Sequence, residues 1–208
     1  MLTSAEVRWF FEGAIPDEIE QWFCRGDLLY KAAPREDHYL ALPASLALNI
    51  KLREGRLEIK PLANTLGVRN FTVDVAGHVQ LWEKWSGGDA AVKEFERLRT
   101  SNPGLWITVT KERRLRKFSL NGDSIKEVDA GKVFLSQGCN VELTKVTVDG
   151  LWYWSFAFEA FGDPSHVAEY LPRVAERVLS DNRHPHYPFS VNNSHSYPEW
   201  LARLSKTA

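Results

Sequence analysis

The chain predicts an α+β fold, an eight-stranded antiparallel β-barrel covered by amphipathic helices. Two observations carry that prediction. About eight segments alternate polar and apolar residues with the period of two that strands require. Amphipathic helical segments lie between and after them. Many antiparallel strands with clean alternation tend to close on themselves, and eight strands leave an interior just wide enough for side chains or one small ligand.

The elements follow in order. Residues 4–12 form a first strand, with Glu6, Arg8 and Phe10 on one face and Val7, Trp9 and Phe11 on the other. In PDEIEQWFCRGD, Pro16 suits the first turn of a helix, and Ile19, Trp22 and Phe23 make its apolar stripe. REDHYLALP, 35–43, is a short strand ended by Pro43. Segments 47–54 and 56–62 form a hairpin around Glu54-Gly55. Leu48, Ile50, Leu52, Leu57 and Ile59 take one side of it. Lys51, Arg53, Arg56, Glu58 and Lys60 take the other. Residues 77–88 are a strand with Gln80, Trp82 and Lys84 in phase, and 89–99 are a helix capped by Asp89. Residues 105–120 begin as a strand, with a bend or hairpin near Lys111–Arg114. Residues 139–162 are the clearest hairpin, turning at Asp149-Gly150. PSHVAEYLPRVAERVLSDN reads helical with a kink at Pro172. SYPEWLARLSK is a short helix whose Ser196 and Glu199 have capping-box spacing.

Composition narrows the function classes. With 44% hydrophobic and 25% charged residues among 208, the chain is an ordinary globular one, read as one domain over 1–208. A formal net charge of −1 gives no general pull toward nucleic acid or anionic membrane. Cys24 and Cys139 have no metal-ligand spacing and suit ordinary thiols in a reducing compartment. No signal-peptide pattern or membrane-length apolar run stands out, so a cytoplasmic location is expected. The 8 Trp, 11 Phe and 6 Tyr suit packing between a curved sheet and its helices. The loop 182–195 carries His184, His186 and His195. It reads as a surface loop, with metal binding the alternative.

The polar strand faces raise the functional question. Glu6 and Arg8, the hairpin charges, Gln80 and Lys84, Thr108, Thr110 and Glu112, then Arg114 and Arg116, and finally Glu142, Thr144 and Glu159 are the charged and polar sets. Pointing outward, they make a wetted sheet face, the usual antiparallel case. Pointing inward, they line a tunnel, and the apolar faces need helical cover, which the sequence supplies. Buried charges must be paired, hydrated or filled by ligand. Lys and Arg suit phosphate oxygens, and carboxylates suit Mg²⁺ or Mn²⁺.

In its order of motifs the chain resembles the CYTH-like, triphosphate tunnel metalloenzyme superfamily. EVRWFFEG stands where that family opens with an E-x-E-x-K strand. IKLREGRLEIK resembles its basic hairpin, NVELTKVTVDGLWYWSFAFEAFG its closing carboxylate strands, and SYPEWL its C-terminal helix. The resemblance implies an eight-stranded tunnel acting on triphosphates with Mg²⁺ or Mn²⁺. It matches Glu6, Glu142 and Glu159 to family carboxylates, expected to be catalytic, and Lys51, Arg53 and Lys60 to its phosphate-holding positions; with Glu58 of the charged hairpin face, these carboxylates are the expected metal ligands. Arg8, Lys51, Arg53, Arg56, Lys60, Lys84 and Arg114 would be ligand contacts. The expected function is metal-dependent hydrolysis of tripolyphosphate or of a nucleoside or organic triphosphate. The alternative is a non-catalytic binding protein for a phosphorylated or other anionic small molecule. No nucleic-acid or membrane partner is expected. The chain departs from the pattern at Arg8, Phe10, Thr144 and Ala157, where the family carries Glu, Lys and acidic residues.

Overall fold

A computed structural model describes residues 2–42 and 45–207. Within them the strands are β1 (Leu2–Glu12), β2 (Tyr30–Lys31), β3 (Arg35–Leu40), β4 (Leu48–Arg53), β5 (Arg56–Asn70), β6 (Ala76–Ser86), β7 (Trp106–Asn121), β8 (Ser124–Val128), β9 (Gly138–Val148) and β10 (Leu151–Gly162). The helices are α1 (Asp17–Phe23), α2 (Asp89–Ser101), α3 (Val167–Leu179) and α4 (Tyr197–Thr207). Pro43, expected to end the strand 35–43, lies outside the described residues.

Eight strands close a ring in the spatial order β3, β4, β5, β6, β1, β10, β9, β7, every pairing antiparallel. β7 completes it by pairing with β3 on one side and β9 on the other. Its 16 residues are long enough to hold β2 and β8 outside the ring as well. The tight hairpins follow turn chemistry. Glu54-Gly55 and Asp149-Gly150 both have positive φ at each residue, as a type I′ turn demands.

The apolar faces point outward under helices. Val7 and Trp9 of β1, Val141 and Leu143 of β9, and Trp154, Phe156 and Phe158 of β10 pack with Trp22 and Phe23 of α1 and with Val167, Leu171 and Val174 of α3. α2 lies against β4 and β5. A second apolar cluster sits inside the ring at one end. Phe10, Tyr39, Val109, Val146 and Tyr153 meet Tyr197, Trp200 and Leu201 of α4 there, and Phe10 stacks on Trp200 at 4.2 Å. The capping box fixes the start of α4, since the Ser196 amide donates to Glu199 Oε2 at 2.7 Å and the Glu199 amide donates to Ser196 Oγ at 3.5 Å.

Three local expectations change. Asp89 is the first helical residue of α2, Gly88 holds the cap position, and no side chain caps that end. β7 is one strand through Lys111–Arg114, with no hairpin there, while α3 is helical across Pro172. The loop 182–195 is partly interior. His184 is 4% exposed, edge-on to Trp22 at 4.7 Å, and the Ser194 hydroxyl accepts from the His78 amide at 2.9 Å. That segment braces β1 against β6, because the His195 amide donates to the Arg8 carbonyl at 3.0 Å. Gly77 makes the close approach possible. A Cβ there would stand 2.6 Å from Val7 Cγ2 and 2.8 Å from Trp9 Cζ2. Gly77→Ala is therefore expected to destabilise by about 1–3 kcal/mol, as overpacking does. A urea midpoint equal to the parent's would contradict this packing account.

Candidate functional site

The other face of the same strands points into the ring. Two-residue alternation puts Glu6 and Arg8 of β1, Lys51 and Arg53 of β4, Glu58 and Lys60 of β5, Lys84 of β6, Glu142 of β9 and Glu159 of β10 around one cavity. Arg35, Asn49, Lys111, Arg113 and Tyr197 complete its lining. Its volume is about 130 Å³, below the several hundred Å³ typical of cavities that engulf a drug-sized ligand. The polar chamber lies beyond the apolar cluster capped by α4. Its most open lining charges are Glu159 and Lys84, with side chains 42% and 33% exposed.

Asp37 of β3 anchors the cations. It is 0% exposed, directly beneath the chamber. Arg53 grips both of its oxygens, at 2.9 and 3.1 Å. The Lys111 ammonium is 2.9 Å away, Arg35 Nε 3.2 Å and Lys51 Nζ 3.7 Å. Burial alone would raise the Asp37 pKa, but Lys111, Lys51 and Arg53 outweigh it and hold the carboxyl far below its usual range. The Lys111 ammonium also donates to the Tyr39 hydroxyl at 2.6 Å and lies 3.7 Å from the Tyr197 ring centre.

The remaining carboxylates are engaged by cations. Glu58 meets Lys84 at 2.8 Å and both Lys51 and Arg53 at 3.2 Å. Against burial, Lys51 and Arg53 bring its pKa down to about 2. Glu142 accepts from Arg8 Nη1 at 2.8 Å and lies 3.5 Å from Arg113. Burial would raise it, and these cations hold it well below the usual carboxylate range. Glu6 pairs with Lys60 and accepts from the Ser4 hydroxyl at 2.6 Å. Lys60 and Arg8 lower its pKa against the pull of burial. Glu159 is the least engaged, 3.7 Å from Lys60. Lys51 is pulled the other way. Burial first, then repulsion from Arg53, lower its pKa to about 8 despite Asp37 and Glu58.

Among the described residues, eight cations and four carboxylates line the chamber. With Asp37 beneath, basic groups outnumber carboxylates by three, though burial first, then repulsion from Lys51 and Arg53, hold the Lys111 pKa well below its usual value despite Asp37. Four polar atoms in or beside the lining are buried without a hydrogen-bond partner: Asn49 Oδ1, Arg113 Nε, Thr144 Oγ1 and the Tyr197 hydroxyl. A buried array with surplus charge and unmet polar atoms is incomplete without water or an anion.

The sequence expectation is a divalent metal held by Glu6, Glu58, Glu142 and Glu159. Among the described residues no three of His, Cys, Asp and Glu come together as a metal would require. Glu58 also belongs to a different cation set, on β5, from the β1, β9 and β10 carboxylates. The donor set as arranged does not fit a divalent ion.

Two expected ligand contacts are not brought to the chamber. Arg56 is exposed at the hairpin tip. Arg114 faces outward and pairs with Glu20 of α1. Sequence phasing took the wrong face of β7, whose inward set is Val109, Lys111 and Arg113 rather than Thr108, Thr110 and Glu112. Arg35, Asp37, Asn49, Lys111, Arg113 and Tyr197 were not singled out. The alternation Arg35–Asp37–Tyr39 was a usable signal, whereas Tyr197 comes from a helix and has no strand-phase signature.

Fold and site together define a closed antiparallel β-barrel with a cation-rich internal chamber. No protein-family model matches the chain, and no curated protein matches it. Among the described residues, no helix is long and apolar enough to cross a membrane.

Proposed function

We propose that the chamber binds a small, multiply charged anion, and that a short phosphate chain, free or as the head of an organic phosphate, is its best chemical match. The excess of lining cations over carboxylates carries this reading. Guanidinium forks and lysine ammonium groups converge where several phosphate oxygens could each take a charge-assisted bond. The small volume favours the anionic group itself, with any organic part left at the mouth. The likeness of the motif order to the CYTH-like superfamily, together with a barrel of the same strand number, supports a phosphate ligand.

Calorimetry with tripolyphosphate tests this, and saturable binding is the expected result. Lys51 gives a second readout. Its pKa is about 8 in the free protein, and a bound anion raises it. Binding near pH 8 to 9 therefore takes up a proton, and affinity falls as pH rises through about 8. Titrations in buffers of different ionisation enthalpy measure that uptake. Lack of binding to tripolyphosphate would overturn the reading.

Hydrolysis of a phosphoanhydride is the second reading, and the observation favouring it is Glu159, a half-open carboxylate at the mouth whose one ion-pair partner among the described residues is Lys60. Phosphate release is expected to stay at background. Release that disappears in Glu159→Gln would put hydrolysis first.

A further inference from the structure

Three carboxylates enter the chamber from neighbouring strands: Glu6 on β1, Glu159 on β10 and Glu142 on β9. The register places Glu6 directly opposite Glu159, and sets both Arg8 and Glu142 opposite Ala157. Among the described residues no three such groups come together as metal ligands, and carboxylates brought into a chamber must be neutralised by some cation. Two tethered cations do so already. The Arg8 guanidinium donates through Nη1 to Glu142 at 2.8 Å and to the Ser155 hydroxyl at 2.9 Å. The Lys60 ammonium bonds Glu6 and lies 3.7 Å from Glu159. Neither is a loose surface pairing, since the Arg8 and Lys60 side chains are 15% and 12% exposed. An incoming Mg²⁺ would have to break these pairs and sit beside both cations in a chamber that already carries surplus positive charge.

We infer that the chamber takes its polyanion free of divalent metal, with Arg8 and Lys60 occupying the place between ligand and carboxylates that a bridging ion would fill. This rests on the polyanion reading above. The carboxylates then have a different task, holding the cations in fixed positions so that their other faces meet the ligand. Mg²⁺ in solution becomes a competitor, because it lowers the charge of the polyphosphate that the chamber recognises.

The test compares tripolyphosphate binding by calorimetry in excess EDTA and in excess Mg²⁺. The inference expects full binding in EDTA and weaker binding with Mg²⁺. Binding that requires Mg²⁺, or tightens with it, overturns the inference and leaves the polyanion reading standing. Absence of binding in both buffers overturns the polyanion reading and this inference with it. A second measurement follows Mn²⁺ by electron paramagnetic resonance with no polyanion present. The wild type is expected to leave Mn²⁺ free, and stoichiometric capture by the wild type overturns the inference. Arg8→Gln is expected to weaken tripolyphosphate binding in EDTA about tenfold or more, the loss of one charge-assisted bond. Lys60→Gln is the parallel variant where Arg8→Gln does not fold. Unchanged affinity in a folded variant of either kind overturns the role given to that residue.

Discussion

Replacing Asp37 with Asn will destabilise the protein by about 3–5 kcal/mol, the range measured when one partner of a buried ion pair is removed. At this chain length that is a fall in melting temperature of roughly 6–20 °C. The amide keeps the shape of the carboxylate but removes its charge and sets an NH2 donor where Arg53 or Tyr39 donates, so the loss reports the ion pairs and their hydrogen bonds together. Arg35, Lys51, Arg53 and Lys111 would then crowd together with no shared anion. The pH dependence has a definite sign. The Asp37 pKa is depressed in the folded protein, so its contribution is complete above the unfolded value of about 4 and is lost as pH falls toward the folded value. The gap in stability between wild type and Asp37→Asn should therefore narrow in acid. Tripolyphosphate should restore part of the lost melting temperature, because a bound anion supplies the missing negative charge. An unchanged melting temperature at neutral pH would show that Asp37 does not anchor the cations.

Trp9→Ala is the second large effect, about 3–5 kcal/mol from the cavity and lost burial. Trp9 is 0% exposed, nearly parallel to Phe156 at 6.1 Å and edge-on to Phe71 and Phe158. Its Nε1 donates to the Ala76 carbonyl at 2.9 Å. Truncation removes the ring and orphans that carbonyl together. Trp9→Phe should cost less, since it keeps most of the apolar contact and loses mainly the bond. Urea unfolding of the two variants measures both terms, and equal losses would contradict the division. Because Trp9 lies between Arg8 and Phe10 on one strand, Trp9→Ala should also weaken anion binding at temperatures where it remains folded.

Much of the barrel was legible because one face of each strand differs sharply from the other. In β1, Val7, Trp9 and Phe11 alternate with Glu6, Arg8 and Phe10, and the structure keeps that division. In β10, Phe156 and Phe158 face the helices while Glu159 faces the chamber. β7 fails that test. Both of its faces are polar over residues 110–114, and its outward charges have their own partners, Glu112 with Lys145 and Arg114 with Glu20. A period of two marks two faces but cannot say which is inside when both are charged. Arg56 shows a second limit. It shares the phase of Glu58, yet it sits at the tip where the strand has left the chamber for solvent. β2 and the long run of β5 past residue 62 were missed because only tertiary pairing with β7 and β6 makes them strands.

α4 fills one end of the ring, and the most exposed charges of the chamber lining, Lys84 and Glu159, mark a doorway. The positive field at that doorway speeds capture of anions, while departure requires several charge-assisted bonds to break in turn. Variants of the inner cations should thus act mainly on residence time, and salt should act mainly on the rate of arrival.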